Sequence, residues 1–186
     1  LDTILRSHPE INVIEEKPII PTIESFIKNN LNTPIDNIFN INEKNIMLLR
    51  KKYFQLLSQY TNKSEKITID KLPLNSVTLP LINLIFPNSK IIFTHRHPYD
   101  TVLSCFQQSF KANEAMSGFL SLKSSSIMYD KVMEAWDIYK KNLHLSFITS
   151  KYEDLINDFD NHTLKILFFL GLEWDDRVKT YRKTAL

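Results

Sequence analysis

The segment THRHPYDTVLS, residues 94–104, concentrates side chains whose types and spacing could do chemistry. Arg96 carries a planar guanidinium, which matches the oxygens of a phosphate as a two-pronged donor. Ser104 follows further along, and its hydroxyl could turn toward the same anion. The residues alone leave an alternative open, in which Arg96 pairs with Asp100 at the surface and Ser104 only caps a turn. The segment is therefore a candidate anion site whose residue types also fit an ordinary surface.

Two histidines flank Arg96 and raise the question of a metal or acid–base site. His95 ends an apolar run, and His97 follows the arginine. No cysteine or acidic residue stands beside them at the spacing of a zinc site, so we expect no metal here. Cys105 is expected to be a small buried residue.

The neighbouring sequence predicts how this segment is positioned. KIIFTH, residues 90–95, is an apolar run typical of a buried strand in a parallel sheet. Pro98 suits the first position of a helix, and Asp100 in the first turn suits the helix dipole. The apolar face of that helix would consist of Val102, Leu103, Phe106 and Phe110. A strand that runs directly into a helix N-terminus leaves free backbone N–H groups, which favour an anion.

The rest of the chain alternates between predicted strands and helices. INVIEE (11–16) is predicted to be short and extended, and strands are predicted for KITID (66–70) and LSFITSKY (145–152). In the first half of the chain, helices are predicted for LDTILRS before Pro9, for IESFIKNNL after breaks at Pro18 and Pro21, for Glu43–Tyr60, and for residues 74–86 with a kink at Pro80. In the second half, helices are predicted for a long segment from Ser126, for a short segment that opens at Glu153, and for Leu164–Leu170 followed by Gly171. This alternation predicts one α/β domain, residues 1–186, with a parallel sheet.

Composition limits the classes of function. The formal net charge of the 186 residues is only +2, so no broad positive field indicates nucleic acid or an anionic membrane surface. No apolar run of about 18 residues is present, and we expect no membrane span. The single cysteine excludes an internal disulfide and, with no signal peptide visible, indicates a reducing compartment, the cytoplasm. Only two glycines are present, so these residues cannot form the glycine-rich phosphate loop of a nucleotide kinase.

Four segments of the chain resemble the sulfotransferase family. SKIIFTHRHPYDTVLSCFQQSF (89–110) is similar to the family's 3′-phosphate segment. The others, in family order, are LDTILRSHPEINVIEE (1–16), ITIDKLPLNSVTLPLINLIFPNSK (67–90) and KYEDLINDFDNHTLKILFFLGLEWDD (151–176). The similarity is greatest to bacterial members that often carry tetratricopeptide repeats, and the tyrosylprotein sulfotransferases are relatives. The resemblance implies a P-loop-NTPase-like α/β fold, with a parallel sheet flanked by helices.

The resemblance also implies a donor and its binding residues. Such enzymes transfer a sulfuryl group from 3′-phosphoadenosine 5′-phosphosulfate to a hydroxyl or amine of a small-molecule, glycan or peptide acceptor, without a metal. Arg96 and Ser104 match the pair that holds the 3′-phosphate of this donor, and Tyr152 matches a residue near the nucleotide. His97 and Tyr99 depart from the family pattern, which usually has Asp and Arg at these positions.

The catalytic groups are implied in the same way. Glu16 matches the glutamate proposed as general base in the tyrosylprotein relatives, and the adjacent Glu15 stays open as an alternative. Lys71 matches a lysine that would stabilise negative charge on the bridging oxygen of the leaving phosphate. Taken as residue types alone, the two glutamates also fit a solvated loop and the lysine also fits a surface.

One part of the family pattern matches nothing in the chain. The first strand and the 5′-phosphosulfate loop of the form PRSGTT have no counterpart among the 186 residues. The resemblance also implies a further phosphate-binding loop after YRKTAL, so we expect a domain truncated at both ends. Such a domain should be inactive or nearly so by itself, with an open sheet that invites self-association. A non-catalytic nucleotide- or anion-binding module of the same fold is the alternative function. The sequence does not identify the acceptor, and we expect the irregular stretch 111–126 to line part of its cleft.

Overall fold

A computed structural model of the chain describes residues 1–31, 33–61, 66–108 and 118–183. The strands are β1 (Ile11–Glu15), β2 (Ile67–Lys71), β3 (Lys90–His95) and β4 (Ser146–Lys151). The α-helices are α1 (Asp2–Arg6), α2 (Ile19–Phe26), α3 (Glu43–Leu57), α4 (Leu79–Ile85), α5 (Pro98–Gln107), α6 (Leu122–Asn142), α7 (Tyr152–Asn157) and α8 (Phe159–Leu170). A π-helical turn spans Ile27–Leu31, and 3₁₀ segments span Ile35–Asn40, Pro73–Val77 and Asp176–Lys183. The predicted α/β class is confirmed.

The contacts divide the chain into two compact units, and the first comprises Leu1–Asn88 and Leu172–Leu186. Its strands β1 and β2 are parallel, with Ile11 opposite Ile67 and Glu15 opposite Lys71. Helices α2, α3 and α4 surround an aliphatic cluster, which stabilises the unit because its side chains leave water almost completely. The buried members of this cluster are Ile20, Ile23, Ile27, Ile38, Ile41, Leu49, Leu81 and Ile85.

The second unit comprises Ser89–Gly171 and contains the other pair of parallel strands. Strand β3 pairs with β4 so that His95 lies opposite Lys151. The Trp136 ring of α6 stacks on Phe93 of β3, with the ring centroids 4.0 Å apart and the planes 1° from parallel. Phe147 of β4 meets the same indole edge-on at 5.2 Å. This aromatic stack packs the long helix against the sheet.

Two prolines predicted to break or kink helices instead stand in first helical turns. Helix α2 begins at Ile19, so Pro21 is its third residue, and the break predicted there is wrong. The first N–H groups of a helix have no intrahelical acceptor, so a proline in the first turn breaks no hydrogen bond. The helix predicted for 74–86 is a 3₁₀ segment followed by α4, and Pro80 lies at the start of α4 rather than at a kink.

Two other helices begin earlier than predicted because polar side chains cap them. Helix α6 starts at Leu122 instead of Ser126, since the Ser121 hydroxyl accepts the backbone N–H of Ser124 in a capping box. Helix α8 starts at Phe159 instead of Leu164, since the Asp158 carboxylate accepts the N–H of Asn161. The predicted end of α8 is confirmed, with Gly171 in the left-handed conformation at φ 81°.

The burial expected around the arginine segment is partly wrong. Phe93 is the buried residue of β3, whereas a strand covered on both faces was expected. On α5, Leu103 is 45% exposed and Phe106 is 40% exposed, so the predicted apolar face is not covered by the described residues. Phe110 lies outside the described residues. Cys105 is half-buried, and this burial raises the pKa of its thiol.

Among the helices that the structure describes, none combines the length and the apolar character needed to cross a bilayer. Residues 111–117 of the stretch expected to line an acceptor cleft lie outside the described residues. Its last residues, from Leu122 onward, belong to α6.

Candidate functional site

The first group of candidate residues lies at the carboxyl ends of β1 and β2. Parallel pairing places Glu15 directly opposite Lys71, and Glu16 follows where β1 ends. The Lys71 ammonium donates to Glu16 Oε1 at 2.8 Å and to Glu15 Oε1 at 3.2 Å. The structure therefore brings together the expected base, its open alternative and the expected lysine. Ligands of open α/β sheets commonly bind beyond the carboxyl ends of strands, so this position suits a site.

The backbone of Glu16 adopts a conformation that is uncommon for a residue with a side chain. Its φ is 52°, in the left-handed region. Among the described residues, the other one with a positive φ is Gly171. The Glu16 N–H donates to the carbonyl oxygen of Lys71 at 2.7 Å, which continues the pairing of β1 with β2 past the last strand residue. Local strain of this kind recurs at functional sites, where the surrounding structure maintains it.

Arg6 joins this group from the end of α1, and no sequence pattern had predicted it there. Its Nη2 donates to Glu15 Oε2 at 2.7 Å. The hydrogen bonds from Arg6 and Lys71 lower the pKa of the Glu15 carboxyl from 4.5 to about 2. Burial lowers the pKa of the Lys71 ammonium, but its hydrogen bonds to Glu16 and Glu15 outweigh that effect and the pKa is raised. Glu15 and Lys71 are therefore both charged at neutral pH.

A pocket of about 440 Å³ opens beside Arg6 and the two carboxylates, and Lys71 is not among the residues that line it. Glu15, Glu16 and Arg6 line it together with Lys17 and the ring of Tyr60. The Lys17 ammonium lies 5.5 Å from the centre of that ring, at cation–π distance. The pocket thus has a polar wall of both charge signs beside one aromatic face.

The second group of candidate residues lies at the corner between β3 and α5. Pro98 is the first residue of α5 and Asp100 lies in its first turn, both as predicted. The Arg96 guanidinium is 3.3 Å from Asp100 Oδ2, which is the ion pair of the alternative interpretation. Arg96 is 45% exposed, and an exposed pair of this kind is worth about 0–1 kcal/mol, so it can exchange for another anion.

Tyr152 lies beside Arg96 because β4 runs parallel to β3 and ends at the same edge. The guanidinium carbon of Arg96 is 5.2 Å from the centre of the Tyr152 ring, which is cation–π geometry. Ser104 lies further along α5 with an exposed side chain and, within the described chain, makes no side-chain hydrogen bond to Arg96. The structure therefore brings together two of the three expected donor-binding residues.

Glu153 is a further residue of this corner that the sequence did not single out as functional. Its Oε1 accepts the backbone N–H of His97 at 2.8 Å, and this hydrogen bond lowers the pKa of the carboxyl. Glu153 thus holds the turn that precedes α5, whereas the His97 side chain makes no cap. Across residues 1–31, 33–61, 66–108 and 118–183, no group of three or more His, Cys, Asp and Glu side chains is arranged to hold a metal ion.

Comparison with known proteins identifies the family of this chain. The model of the sulfotransferase family matches residues 1–176. The chain belongs to the sulfotransferase family. An uncharacterized protein of Aquifex aeolicus (strain VF5) is 28% identical over 200 aligned positions, which cover 98% of the chain and 25% of that protein. The chain therefore spans about a quarter of the length of the curated relative that it matches.

Family membership places the observed elements in a known architecture. The short parallel strand pairs and surrounding helices are those of the α/β, P-loop-like sulfotransferase fold. Sulfotransferases carry out sulfuryl transfer and generally use 3′-phosphoadenosine 5′-phosphosulfate as the donor. Both candidate groups, at the ends of β1 and β2 and at the start of α5, lie within the part of the chain that matches the family.

Proposed function

We propose that this sulfotransferase chain transfers a sulfuryl group from 3′-phosphoadenosine 5′-phosphosulfate to an acceptor hydroxyl or amine. The observation that carries the proposal is the contact of Glu16 with Lys71 at the ends of two parallel strands, beside an open pocket. A carboxylate and an ammonium in contact are the base and the electrostatic stabiliser that such a transfer needs.

Glu16 is the proposed base, rather than Glu15. A base must take the proton of the acceptor as the acceptor oxygen or nitrogen attacks sulfur. The pKa of Glu15 is held at about 2 by Arg6 and Lys71, which makes that carboxylate a weak base. Glu16 is 59% exposed and lines the pocket, so an acceptor can reach it.

Lys71 stabilises the other side of the reaction. When the bond between sulfur and the bridging oxygen breaks, negative charge develops on the phosphate that leaves. An ammonium fixed near that oxygen lowers the barrier, and the raised pKa of Lys71 keeps it charged. Its two carboxylate contacts fix its position at the end of β2 until the donor arrives.

Arg96 and Ser104 form the proposed contact with the donor's 3′-phosphate, and Tyr152 is the proposed residue near its nucleotide. The free N–H groups at the start of α5 and the Arg96 guanidinium both favour a phosphate. Tyr152 limits the movement of the guanidinium by covering one face of it. Asp100 is the group that the phosphate would displace from Arg96.

The 186 residues contain no segment of the form PRSGTT, so their contacts to the donor's 5′-phosphosulfate are incomplete. We propose that the isolated chain binds nucleotide but transfers sulfuryl groups slowly or not at all, because positioning of the transferring group supplies most of the acceleration. We also propose a cytoplasmic location, since the single cysteine suits a reducing compartment. Pairing of two copies through an open strand edge is the self-association that we expect.

Nucleotide binding tests the donor part of the proposal in the isolated chain. Adenosine 3′,5′-bisphosphate should bind more tightly than adenosine 5′-monophosphate by calorimetry, and Arg96→Ala should weaken only the bisphosphate, by ten- to a hundredfold. Arg182→Ala, a change at an exposed arginine elsewhere, is the matched control. Equal affinity of the two nucleotides would rule out a 3′-phosphate site at this corner.

Turnover in the full-length protein separates an enzyme from the alternative, a non-catalytic nucleotide-binding module. Glu16→Gln should lower kcat by about 10²–10⁴-fold and Lys71→Met by about 10²–10³-fold, while nucleotide affinity stays unchanged. If the unsubstituted full-length protein binds the donor but transfers nothing to a broad set of hydroxyl and amine acceptors, the module is the better description. Full turnover by Glu16→Gln would instead refute the base assignment alone.

A further inference from the structure

Four charged side chains of alternating sign lie in a row at the ends of β1 and β2. Arg6 contacts Glu15 at 2.7 Å, Glu15 contacts Lys71 at 3.2 Å, and Lys71 contacts Glu16 at 2.8 Å. The row contains two cations and two carboxylates, so its formal charge is zero. Arg6 stands at the end opposite Glu16 and touches only Glu15 among the carboxylates of the row.

We propose that Arg6 is a positioning residue: it serves as the counter-ion of Glu15 when Lys71 turns toward the donor. Lys71 can then leave the carboxylates without exposing two adjacent unpaired charges, and Glu16 alone is left unpaired, ready to accept a proton. The inference rests on the proposed roles of Glu16 and Lys71 and adds a residue that those roles did not include.

The electrostatics of the row support this role. Without Arg6, Lys71 would be the sole cation between two neighbouring carboxylates, and both would hold it in place. With Arg6, one of those carboxylates is already neutralised. The groups that act on Glu15 are Arg6 and Asp2 from α1 and Lys71 from β2, and the hydrogen bond from Arg6 makes the largest contribution to the lowered pKa of Glu15.

The turn between α1 and β1 fixes Arg6 in this position. His8, which is buried in the turn, accepts the Glu10 N–H at Nδ1 with 3.2 Å. Its Nε2 lies 3.1 Å from the Glu173 carbonyl oxygen, on the segment that returns to this unit after α8. Arg6 therefore reaches Glu15 from a backbone that is held on two sides, so its side chain is already in place before Lys71 moves.

Titration of the Glu15 carboxyl and the Lys71 ammonium by NMR in the 186-residue chain tests the proposal without any turnover. Arg6→Met should raise the Glu15 pKa by at least one unit, a tenfold gain in proton affinity, and should raise the Lys71 pKa further. Arg6→Lys should restore most of both shifts because it keeps the charge. Arg182→Met, at an exposed arginine of the same unit, should change neither. Unchanged Glu15 and Lys71 titrations in Arg6→Met would overturn the proposal.

A double-mutant cycle shows whether Arg6 acts through Glu15. In a Glu15→Gln background the added Arg6→Met change should leave the Lys71 pKa where it was, whereas a direct effect of Arg6 on Lys71 would persist and refute the counter-ion role. Should Arg6→Met fail to fold, Arg6→Gln in the same cycle gives the same decision.

Turnover of the full-length protein provides the functional readout. Arg6→Met should lower kcat about tenfold with little change in donor affinity, and Arg6→Lys should recover it. Unchanged kcat in Arg6→Met beside inactive Glu16→Gln would refute the role of Arg6 alone. An active Glu16→Gln would instead refute the proposed function, while the titrations would still report on the contact between Arg6 and Glu15.

Discussion

Replacement of Glu16 by glycine should give a more stable protein than replacement by alanine. The two variants lose the same exposed ion pair with Lys71, so they differ mainly in the backbone. At φ 52° a residue with a Cβ is strained, whereas glycine adopts this conformation freely. The comparison therefore isolates the strain at the end of β1 from the charge of the side chain.

The expected difference follows from two opposing effects. The left-handed conformation costs a residue with a Cβ about 1–2 kcal/mol. Glycine loses more chain entropy on folding than alanine, which reduces the advantage of glycine by about 0.4–1 kcal/mol. Glu16→Gly should therefore exceed Glu16→Ala in stability by about 0.5–1 kcal/mol, which is roughly 1–4 °C in Tm for a chain of this size.

Urea unfolding followed by far-UV circular dichroism measures this difference. Lys51, exposed in the middle of α3, is the matched control in the same unit. There the helical conformation suits alanine, so Lys51→Gly should be less stable than Lys51→Ala by about 1 kcal/mol, with the opposite sign. If glycine were the weaker replacement at both positions, the strain attributed to Glu16 would be absent. Glu16→Gly should in any case lack transfer activity, because the proposed base is gone.

Three further predictions concern the remaining structure. Trp136→Ala removes a ring that is 2% exposed and stacked on Phe93, so it should cost about 3–5 kcal/mol in urea unfolding, and a loss below 1 kcal/mol would contradict that packing. Gly171→Ala should cost about 1 kcal/mol through its positive φ alone, since a Cβ would meet no atom nearer than 3.8 Å; a stabilised variant would show the strain to be absent. The folded-state pKa of Glu15 is about 2, below its ordinary value of 4.5. The wild type should therefore have a higher Tm than Glu15→Gln above pH 4.5, and this difference should disappear as the pH falls to about 2. A constant difference across that range would disprove the Arg6 contact.

The elements around the candidate site could largely be predicted because their signals are local. The apolar run before Arg96, Pro98 at a first helical position and Gly171 after a helix each act through neighbouring residues. Helix starts were harder to predict. Ser121 completes its capping box with a serine in place of the usual Glu or Gln, and Pro21 fits a first turn although proline usually signals a break.

The partners within the candidate site depend on tertiary pairing, and local patterns do not record that. Nothing near Arg6 in the sequence indicates that a turn will bring it to Glu15. The contact of Arg96 with Tyr152 requires the register of β3 with β4, which a single sequence does not specify. The roles of Glu16, Lys71, Arg96, Ser104 and Tyr152 came from a family resemblance, and they stay predictions until the variants are measured.

The parallel pairing at the ends of the strands has a consequence for the order of folding. Lys71 and Glu15 are 56 residues apart in the sequence, and so are Glu153 and His97. Each contact closes a long loop. Loop closure is slow because the chain loses conformational entropy before the contact stabilises it. We therefore expect neither contact in a chain whose strands have not yet paired. We expect each contact to form together with the strand pair that positions it, so the proposed binding of adenosine 3′,5′-bisphosphate at the start of α5 would report the pairing of β3 with β4.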